Sequence, residues 1–151
     1  MTLIDVNLLL YAYDADSPRH AAARSWLAAE LSSGRPIRLA LISVLAFVRI
    51  ASDRRVFTQP LAPSEACALV ESWLERPNVR LLQPGPRTWQ LLGRLCDAGQ
   101  ARGPMVMDAH LAALALEHGA RVATTDRDFT RFPDLEILNP IDAASGTRDS
   151  H

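Results

Sequence analysis

Residues Thr2-Leu3-Ile4-Asp5-Val6-Asn7 form a short apolar run that ends on a carboxylate. The first three residues suit a buried β-strand, and Asp5 marks the point where that strand stops. The apolar residues from Leu8 to Tyr11 suit a helix that packs back on a sheet. Because the chemistry of open parallel sheets lies at the carboxyl ends of their strands, Asp5 is a candidate functional residue. A buried carboxylate is costly without a partner, so other parts of the chain must supply one.

Short apolar segments alternate with helical patterns along the rest of the sequence. Further strands are predicted at 37–41, 79–82 and 121–124, with an edge strand at 136–138. A helix is predicted to begin at Ser17 as its cap, and others at 43–50, before Pro77, from Arg87 to Gly99, and from Asp108 to His118. This alternation predicts an α/β fold with a mostly parallel central sheet. We expect one domain over residues 1–142 and a flexible polar tail at 143–151.

The composition is that of an ordinary globular protein, with 48% hydrophobic residues and a net charge of -1. That charge excludes a uniformly basic nucleic-acid-binding protein, although a local basic patch can stand beside an acidic pocket. The longest apolar run, 39–48, is too short to cross a bilayer. Because the first strand follows Met1 almost at once, we expect no secretory signal. A cytoplasmic protein is therefore expected, with Cys67 and Cys96 as reduced core thiols.

All 16 basic residues are arginines, and the chain has no lysine. Chemistry that requires a lysine ammonium, such as Schiff-base formation, is therefore excluded. Any contact between a basic side chain and a phosphate must use an arginine fork.

Four carboxylates adjoin apolar segments instead of lying on polar faces. Asp5 follows the first strand, Asp126 and Asp128 follow the strand at 121–124, and Asp108 lies at the start of the helix that leads into that strand. In a parallel sheet, Asp5 and Asp126 emerge at the same edge, and Asp108 can reach the same pocket. Clustered carboxylates repel one another unless a proton or a cation neutralises them. Oxygen-only ligands favour Mg²⁺ or Mn²⁺, which activate water in phosphodiester hydrolysis.

Simpler interpretations of these residues remain open. Asp126 and Asp128 can be plain helix caps, and an aspartate at a strand end, such as Asp5, is common in turns. His110 lies two residues from Asp108 and points from a different helix face, so we interpret it as a core or rim histidine. No glycine-rich phosphate loop is present. Asn7 occupies the position where a haloacid-dehalogenase-type enzyme needs a second aspartate, and a receiver domain would need a lysine.

Several blocks of the chain resemble the PIN-domain ribonucleases, and most closely the VapC-like toxins of bacterial toxin–antitoxin pairs. The resemblance runs in order to Pro140. Its blocks are Ile4-Asp5-Val6-Asn7-Leu8-Leu9, Phe47-Val48-Arg49-Ile50-Ala51, Arg55-Val56-Phe57, Val106-Met107-Asp108-Ala109-His110-Leu111-Ala112 and Thr124-Thr125-Asp126-Arg127-Asp128-Phe129.

The resemblance implies a three-layer α/β/α sandwich and a Mg²⁺-dependent endoribonuclease, with Mn²⁺ as a substitute ion. It also implies a homodimer and a small cognate antitoxin. Asp5, Asp108 and Asp126 are then the expected catalytic residues, and Asp128 joins them as a metal ligand. We expect arginines at the rim of the pocket to bind the RNA, which is single-stranded or looped because a narrow cleft does not admit a duplex. The candidates are Arg49, Arg54, Arg55 and Arg127.

One position departs from the family pattern. Many relatives carry a glutamate three residues before the arginine that corresponds to Arg49, and here that position is Ala46. No aspartate or glutamate occurs from Leu31 to Ser52, so no shifted alignment replaces it. Ser43 is the only oxygen donor suggested for that side, through water. Because of this departure, the sequence does not decide whether the site binds one metal ion or two. It also supports an alternative function, a catalytically weak module that binds RNA or its antitoxin without cleavage.

Overall fold

The central sheet has five strands, all parallel, in the order β3-β2-β1-β4-β5. The structure is a computed structural model that describes residues 1–142. The strands are β1 Thr2–Ile4, β2 Ile37–Ala40, β3 Val79–Leu82, β4 Arg121–Ala123 and β5 Ile137–Leu138. The α/β prediction is therefore confirmed, and the sheet is wholly parallel in the described residues. The predicted tail at 143–151 lies outside them.

Helices cover both faces of the sheet and complete a three-layer α/β/α sandwich. The helices are α1 Val6–Tyr13, α2 His20–Ser32, α3 Leu41–Ala51, α4 Pro63–Leu74, α5 Thr88–Ala98 and α6 Met105–His118, followed by a 3₁₀ helix at Arg127–Arg131. The first four pack on one face, and α5 and α6 pack on the other. Within the described residues, no helix is long and apolar enough to span a membrane.

The two cores are separated by the alternation of side chains along the strands. In β1, Leu3 packs with α5 and α6, whereas Ile4 packs with the helices of the opposite face. Both side chains are fully buried. Such strands are covered on both faces, which explains why they read as unbroken apolar runs in the sequence.

The strand order places the end of β1 at a crevice. In the sheet, β2 and β3 lie on one side of β1, and β4 and β5 lie on its other side. The connections that leave β1 and β4 therefore diverge, which opens the space beyond their carboxyl ends. Asp5 follows β1 directly at this point.

Several predicted boundaries and environments are wrong in detail. Helix α2 begins at His20, and Ser17 lies before it, where its hydroxyl accepts a 3.1 Å hydrogen bond from the Arg19 amide. Helix α3 begins at Leu41, directly after β2, and α6 begins at Met105, so Asp108 lies in its first turn and not at its start. Cys67 is exposed and therefore is not a core thiol, because α4 turns Ala66 and Val70 inward instead.

Candidate active site

Asp5 is a buried carboxylate held in place from two directions. Its side chain is 8% exposed, and it caps the start of α1 by accepting a 2.8 Å hydrogen bond at Oδ1 from the Val6 amide. Its Oδ2 accepts a 2.8 Å hydrogen bond from the Thr124 hydroxyl. Burial raises the pKa of Asp5 and outweighs these two hydrogen bonds, which lower it, while the charge of Asp126 raises it slightly further. The simpler interpretation of Asp5 was a turn at the strand end, and the structure shows it as the cap of α1 as well as a buried carboxylate of the acidic group.

Thr124, just beyond β4, connects the parts of the site, and the sequence analysis did not identify it. Its hydroxyl, 1% exposed, donates to Asp5 and accepts from the Asp126 amide at 3.0 Å and from Asn7 Nδ2 at 3.3 Å. A hydroxyl can donate one hydrogen bond and accept two, so all the hydrogen-bonding capacity of Thr124 Oγ1 is satisfied. Asn7 Oδ1 is buried without a hydrogen-bond partner in the described residues. The available sequence signal was a hydroxyl residue two positions before Asp126.

Asp108 is the carboxylate most affected by its neighbours. Burial raises its pKa from the ordinary value of 3.8 to about 6, and repulsion from Asp5, Asp126 and Asp128 adds to the shift. These carboxylates therefore lie near enough to share one electrostatic environment, as the joint sequence placement predicted. A raised pKa of this kind is typical of a functional cluster.

Asp126 and Asp128 occupy the start of the 3₁₀ helix. The side chain of Asp126 accepts a 2.9 Å hydrogen bond from the Asp128 amide, so Asp126 is a cap as well as a member of the acidic group. Asp126 is half-buried, whereas Asp128 is exposed. Asp128 is thus the outermost of the four carboxylates.

A cavity of about 160 Å³ lies beside Asp5 and Asp108. Its other side is formed by α3, through Ser43, Ala46 and Arg49. Apolar side chains complete the lining: Val6, Ile42, Met107 and Leu111. The α3 side of the cavity therefore contributes a hydroxyl and an arginine but no carboxylate, and Ala46 faces the space where the family pattern has a glutamate.

The four predicted RNA-binding arginines are placed differently. Arg49 is exposed and lines the cavity. Arg54 and Arg55 are exposed on the loop after α3, where Arg55 pairs with Asp53 at 3.3 Å. Arg127 is also exposed and lies 4.0 Å from Asp142. The structure thus brings Arg49 to the cavity, while the other three do not line it.

His110 is half-buried on α6, and burial lowers its pKa. A histidine that favours its neutral form through burial alone fits the core-or-rim interpretation. Its neighbour Ala109 is fully buried, which is typical of the face of α6 that packs on the sheet.

The donor chemistry of the site fits a hard divalent cation. Asp5 and Asp108 line one cavity, both carboxylates have raised pKa values, and further oxygen donors are near. A cation would relieve the mutual repulsion of these groups. Within residues 1–142, however, no three His, Cys, Asp or Glu side chains lie close enough to form a ready-made metal-binding group. The residue types of the site therefore suit a divalent cation, and the two carboxylates that line the cavity, Asp5 and Asp108, would be its main ligands.

The fold agrees with the comparisons to known proteins. The chain belongs to the PIN-domain family, whose model matches residues 2–135. Within that family it is VapC-like. It is 38% identical over 140 residues to Ribonuclease VapC31 of Mycobacterium tuberculosis, an alignment that covers 93% of this chain and 99% of the relative.

Two solved structures share the fold at lower sequence identity. A VapBC2 complex from Rickettsia felis, bound to a promoter DNA fragment, matches with a TM-score of 0.67 and 15% identity over 91% of this chain and 97% of that one. A toxin–antitoxin complex from Klebsiella pneumoniae matches with a TM-score of 0.61 and 17% identity over 93% of this chain and 98% of that one. At such identities these neighbours support the three-layer fold.

Proposed function

We propose that this protein is a divalent-metal-dependent endoribonuclease that acts in the cytoplasm as the toxin of a toxin–antitoxin pair. The observation that carries the proposal is the shared cavity of Asp5 and Asp108. Burial raises the pKa of both carboxyl groups, and the charge of Asp126 raises both further. Its similarity to a named ribonuclease over nearly its whole length supports the choice of RNA as substrate.

Asp5 is the anchor of the proposed mechanism. Hydrogen bonds from Val6 and Thr124 fix its carboxylate before any substrate arrives, and fixed donors and acceptors are the basis of catalysis by preorganisation. Asp5 and Asp108 would hold Mg²⁺, or Mn²⁺ in its place, with Asp126 near and Asp128 further out. When bound, such an ion activates water and stabilises charge on the phosphate oxygens. Asp126, whose amide is fixed by Thr124, would orient the attacking water.

Arg49 is the residue best placed to receive the substrate. It is exposed at the rim of the acidic cavity, where a guanidinium can bind a phosphate oxygen while the scissile bond faces the carboxylates. Arg54, Arg55 and Arg127 would contact the RNA backbone further from the cavity. Each such contact adds to the salt dependence of binding.

A groove between α1, α2 and α4 is the proposed binding surface for the antitoxin. It has a volume of about 390 Å³, and its lining is mostly apolar: Ala12, Tyr13, Ala15, Leu27, Ala28, Leu31, Leu69 and Trp73, with the polar His20 and Arg24. An apolar groove between helices is the surface on which an amphipathic helix binds.

We also propose a homodimer that uses helix α3. Leu41 and Leu45 lie one turn apart on this helix and are 54% and 57% exposed, so they form an apolar pair on its solvent side. A second copy of the chain would remove this surface from water. Size-exclusion chromatography with light scattering tests this point, because Leu45→Glu should convert a dimer into a monomer.

A module that binds RNA or antitoxin without cutting is the second candidate, and the observation in its favour is Ala46 facing the cavity. Incubation of total RNA with the purified protein in Mg²⁺, in Mn²⁺ and in chelator separates the two candidates. We expect cleavage with either ion, none in chelator, and none for Asp108→Asn. Cleavage that survives chelation or this substitution would remove the mechanism. Firm RNA or antitoxin binding without cleavage in either ion would support the second candidate.

A further inference from the structure

The amino ends of β2 and β3 carry two arginines side by side. Arg38 and Arg80 are direct register partners on these parallel strands, so their side chains emerge on the same face of the sheet, with Cβ atoms about 5 Å apart. Like charges in this arrangement destabilise a sheet unless a counter-charge is present. The ion pairs within residues 1–142 are Arg35–Glu30, Arg55–Asp53 and Arg127–Asp142, and none of them includes Arg38 or Arg80.

The Arg38 guanidinium is held in position with part of its hydrogen-bonding capacity unused. The side chain is half-buried, and its Nη1 donates to the Ile37 carbonyl at 2.9 Å and to the Asn78 carbonyl at 3.3 Å. Its Nε and Nη2 donate to no other group in the described part of the chain. A fixed guanidinium with free donors is preorganised for a planar or tetrahedral oxyanion.

Both arginines line a cleft of about 330 Å³, whose other lining residues are Gly34, Pro36, Pro77 and Asn78. Hydrogen bonds join the two segments that line the cleft. Asn78 Nδ2 donates to the Arg35 carbonyl at 2.9 Å, and the Asn78 backbone carbonyl accepts from the Ile37 amide at 2.8 Å. Glu30 adjoins this region, since its backbone carbonyl accepts a hydrogen bond from Asn78 Nδ2 at 3.3 Å, and its carboxylate is already paired with Arg35 at 2.9 Å. The lining contains no aromatic or large aliphatic side chain, which disfavours an apolar peptide and favours a compact anion.

We propose that this cleft binds a backbone phosphate of the RNA strand, as a second contact remote from the acidic cavity. The cleft lies at the amino ends of the strands, whereas Asp5 and Asp126 lie beyond the carboxyl ends. A single strand that passes from one edge of the sheet to the other would engage both sites. The choice of RNA as the source of the phosphate rests on the proposed ribonuclease function.

Binding of a labelled single-stranded RNA oligonucleotide, followed by fluorescence anisotropy in chelator, tests the proposal without cleavage. Arg80→Gln removes one of the two guanidiniums, and Arg76→Gln removes an equal charge from an exposed arginine that does not line the cleft. We expect Arg80→Gln to weaken binding at least threefold more than Arg76→Gln. We also expect it to reduce the slope of log affinity against log salt by about 0.7. Equal affinities and slopes for the two variants would overturn the proposal.

Two further measurements complete the test. Arg38→Gln should weaken RNA binding more than Arg80→Gln does. Because Arg38 also donates a hydrogen bond to the Asn78 carbonyl, thermal melting of this variant is needed to identify any loss of fold. Inorganic phosphate, titrated against the amide resonances of Gly34 and Asn78, separates the two sources of the anion. If phosphate shifts these resonances while RNA binds Arg80→Gln and Arg76→Gln equally, the cleft binds free phosphate and the RNA proposal fails. Because binding is measured in chelator, a lack of nuclease activity would leave this result intact.

Discussion

The hydroxyl of Thr124 donates a 2.8 Å hydrogen bond to Oδ2 of Asp5 across 119 positions of sequence. The bond joins the ends of β1 and β4, which are neighbours in the sheet. It therefore fixes the most buried carboxylate of the site to the segment that carries Asp126. Within the described residues, no hydrogen bond joins the four carboxylate side chains to one another, so this hydroxyl is what links Asp5 to the Asp126 segment.

We predict that Thr124→Val lowers both stability and cleavage. Valine keeps the shape but leaves the Asp5 oxygen, the Asp126 amide and Asn7 Nδ2 without their shared partner, at a cost of about 1–3 kcal/mol. Because the lost hydrogen bond lowers the pKa of Asp5, that pKa should also rise. Urea unfolding and the pH profile of cleavage measure the two effects. Thr124→Ser retains the hydroxyl and should stay close to wild type; equal losses in both variants would show that packing is responsible.

Asp108→Asn should abolish cleavage and stabilise the metal-free protein above about pH 6. The native state raises the pKa of Asp108 from 3.8 to about 6, so it binds this proton more tightly than the unfolded chain does. The resulting stability is fully present below pH 3.8 and is lost as the pH rises through 6. At pH 7 the ionised side chain then costs about 1–2 kcal/mol after screening by solvent.

Melting temperatures of wild type and Asp108→Asn, recorded in chelator from pH 4 to 8, provide the measurement. The two curves should diverge as the pH rises from 3.8 to about 6 and should stay apart above it, with the variant higher. Parallel curves would contradict the raised pKa. Saturating Mn²⁺ should reverse the order, because only the wild-type carboxylate gains from the ion.

Ala46→Glu should increase metal affinity about tenfold, equivalent to about 1.4 kcal/mol. The new carboxylate would face the cavity of about 160 Å³ that Asp5 and Asp108 also line. In the absence of metal the same group adds repulsion, so the variant should be less stable than wild type in chelator. Calorimetric titration with Mn²⁺ measures the affinity. Ala46→Gln is the matched control of equal size, and an equal gain in affinity there would show that charge is not the cause.

The parts of the fold that local pattern determines were predictable from the sequence. Apolar runs predicted the strands β1 and β4, which end at Ile4 and Ala123, just before Asp5 and Asp126. Because these strands pair in parallel, the two aspartates lie at the same edge of the sheet. The predicted start of α6 was wrong by three residues, because Asp108 suits a cap but the helix begins at Met105, after Pro104. A single candidate capping residue is therefore not enough to locate the first residue of a helix.

The contacts that complete the site depend on distant parts of the chain. Thr124 reaches Asp5 only because Ile4 pairs with Ala123, and that register is a property of the assembled sheet. Arg38 and Arg80 are 42 positions apart in number, yet sheet register makes them neighbours. The buried apolar periodicity of the sequence predicts which face a side chain occupies, but it does not specify its partner on the next strand.

Glu117→Gln should destabilise the protein at neutral pH through the amino end of α5. Helix α5 has no capping side chain of its own, and the Glu117 carboxylate from α6 accepts from the Arg87 amide at 2.7 Å, the Gly85 amide at 3.3 Å and the Thr88 hydroxyl. The hydrogen bond from Thr88, followed by those from the Arg87 and Gly85 amides, lowers the pKa of Glu117. The stability that this carboxylate provides is present above its ordinary pKa of 4.5 and is lost as the pH falls through the lowered value.

Urea unfolding across the pH range tests this role. The deficit of Glu117→Gln relative to wild type should be largest at pH 7 and should shrink in acid. Glu71→Gln, an exposed glutamate of α4, is the control and should unfold with wild-type stability at every pH. A deficit that is constant with pH would assign the effect to packing and not to the charge.

Ala28→Glu should weaken antitoxin binding while RNA cleavage continues. Ala28 is exposed on α2 and lines the apolar groove between α1, α2 and α4, so a glutamate there would place a charge in the path of a bound apolar helix. Ala29→Glu introduces the same charge one residue further along α2, where the side chain is also exposed but does not line the groove. We expect Ala28→Glu to raise the dissociation constant for the cognate antitoxin at least tenfold and Ala29→Glu to leave it near the wild-type value.

The comparison separates the groove from the acidic cavity as the antitoxin's point of attachment. Calorimetric titration with the purified antitoxin measures binding, and cleavage of RNA in Mn²⁺ without antitoxin measures the nuclease. If Ala28→Glu cuts RNA normally and resists inhibition, the groove is the principal contact. If both variants bind the antitoxin as tightly as wild type, the groove is not its binding surface. The partner must then bind elsewhere, with Arg or Lys residues in the cavity of Asp5 and Asp108 as the next surface to test.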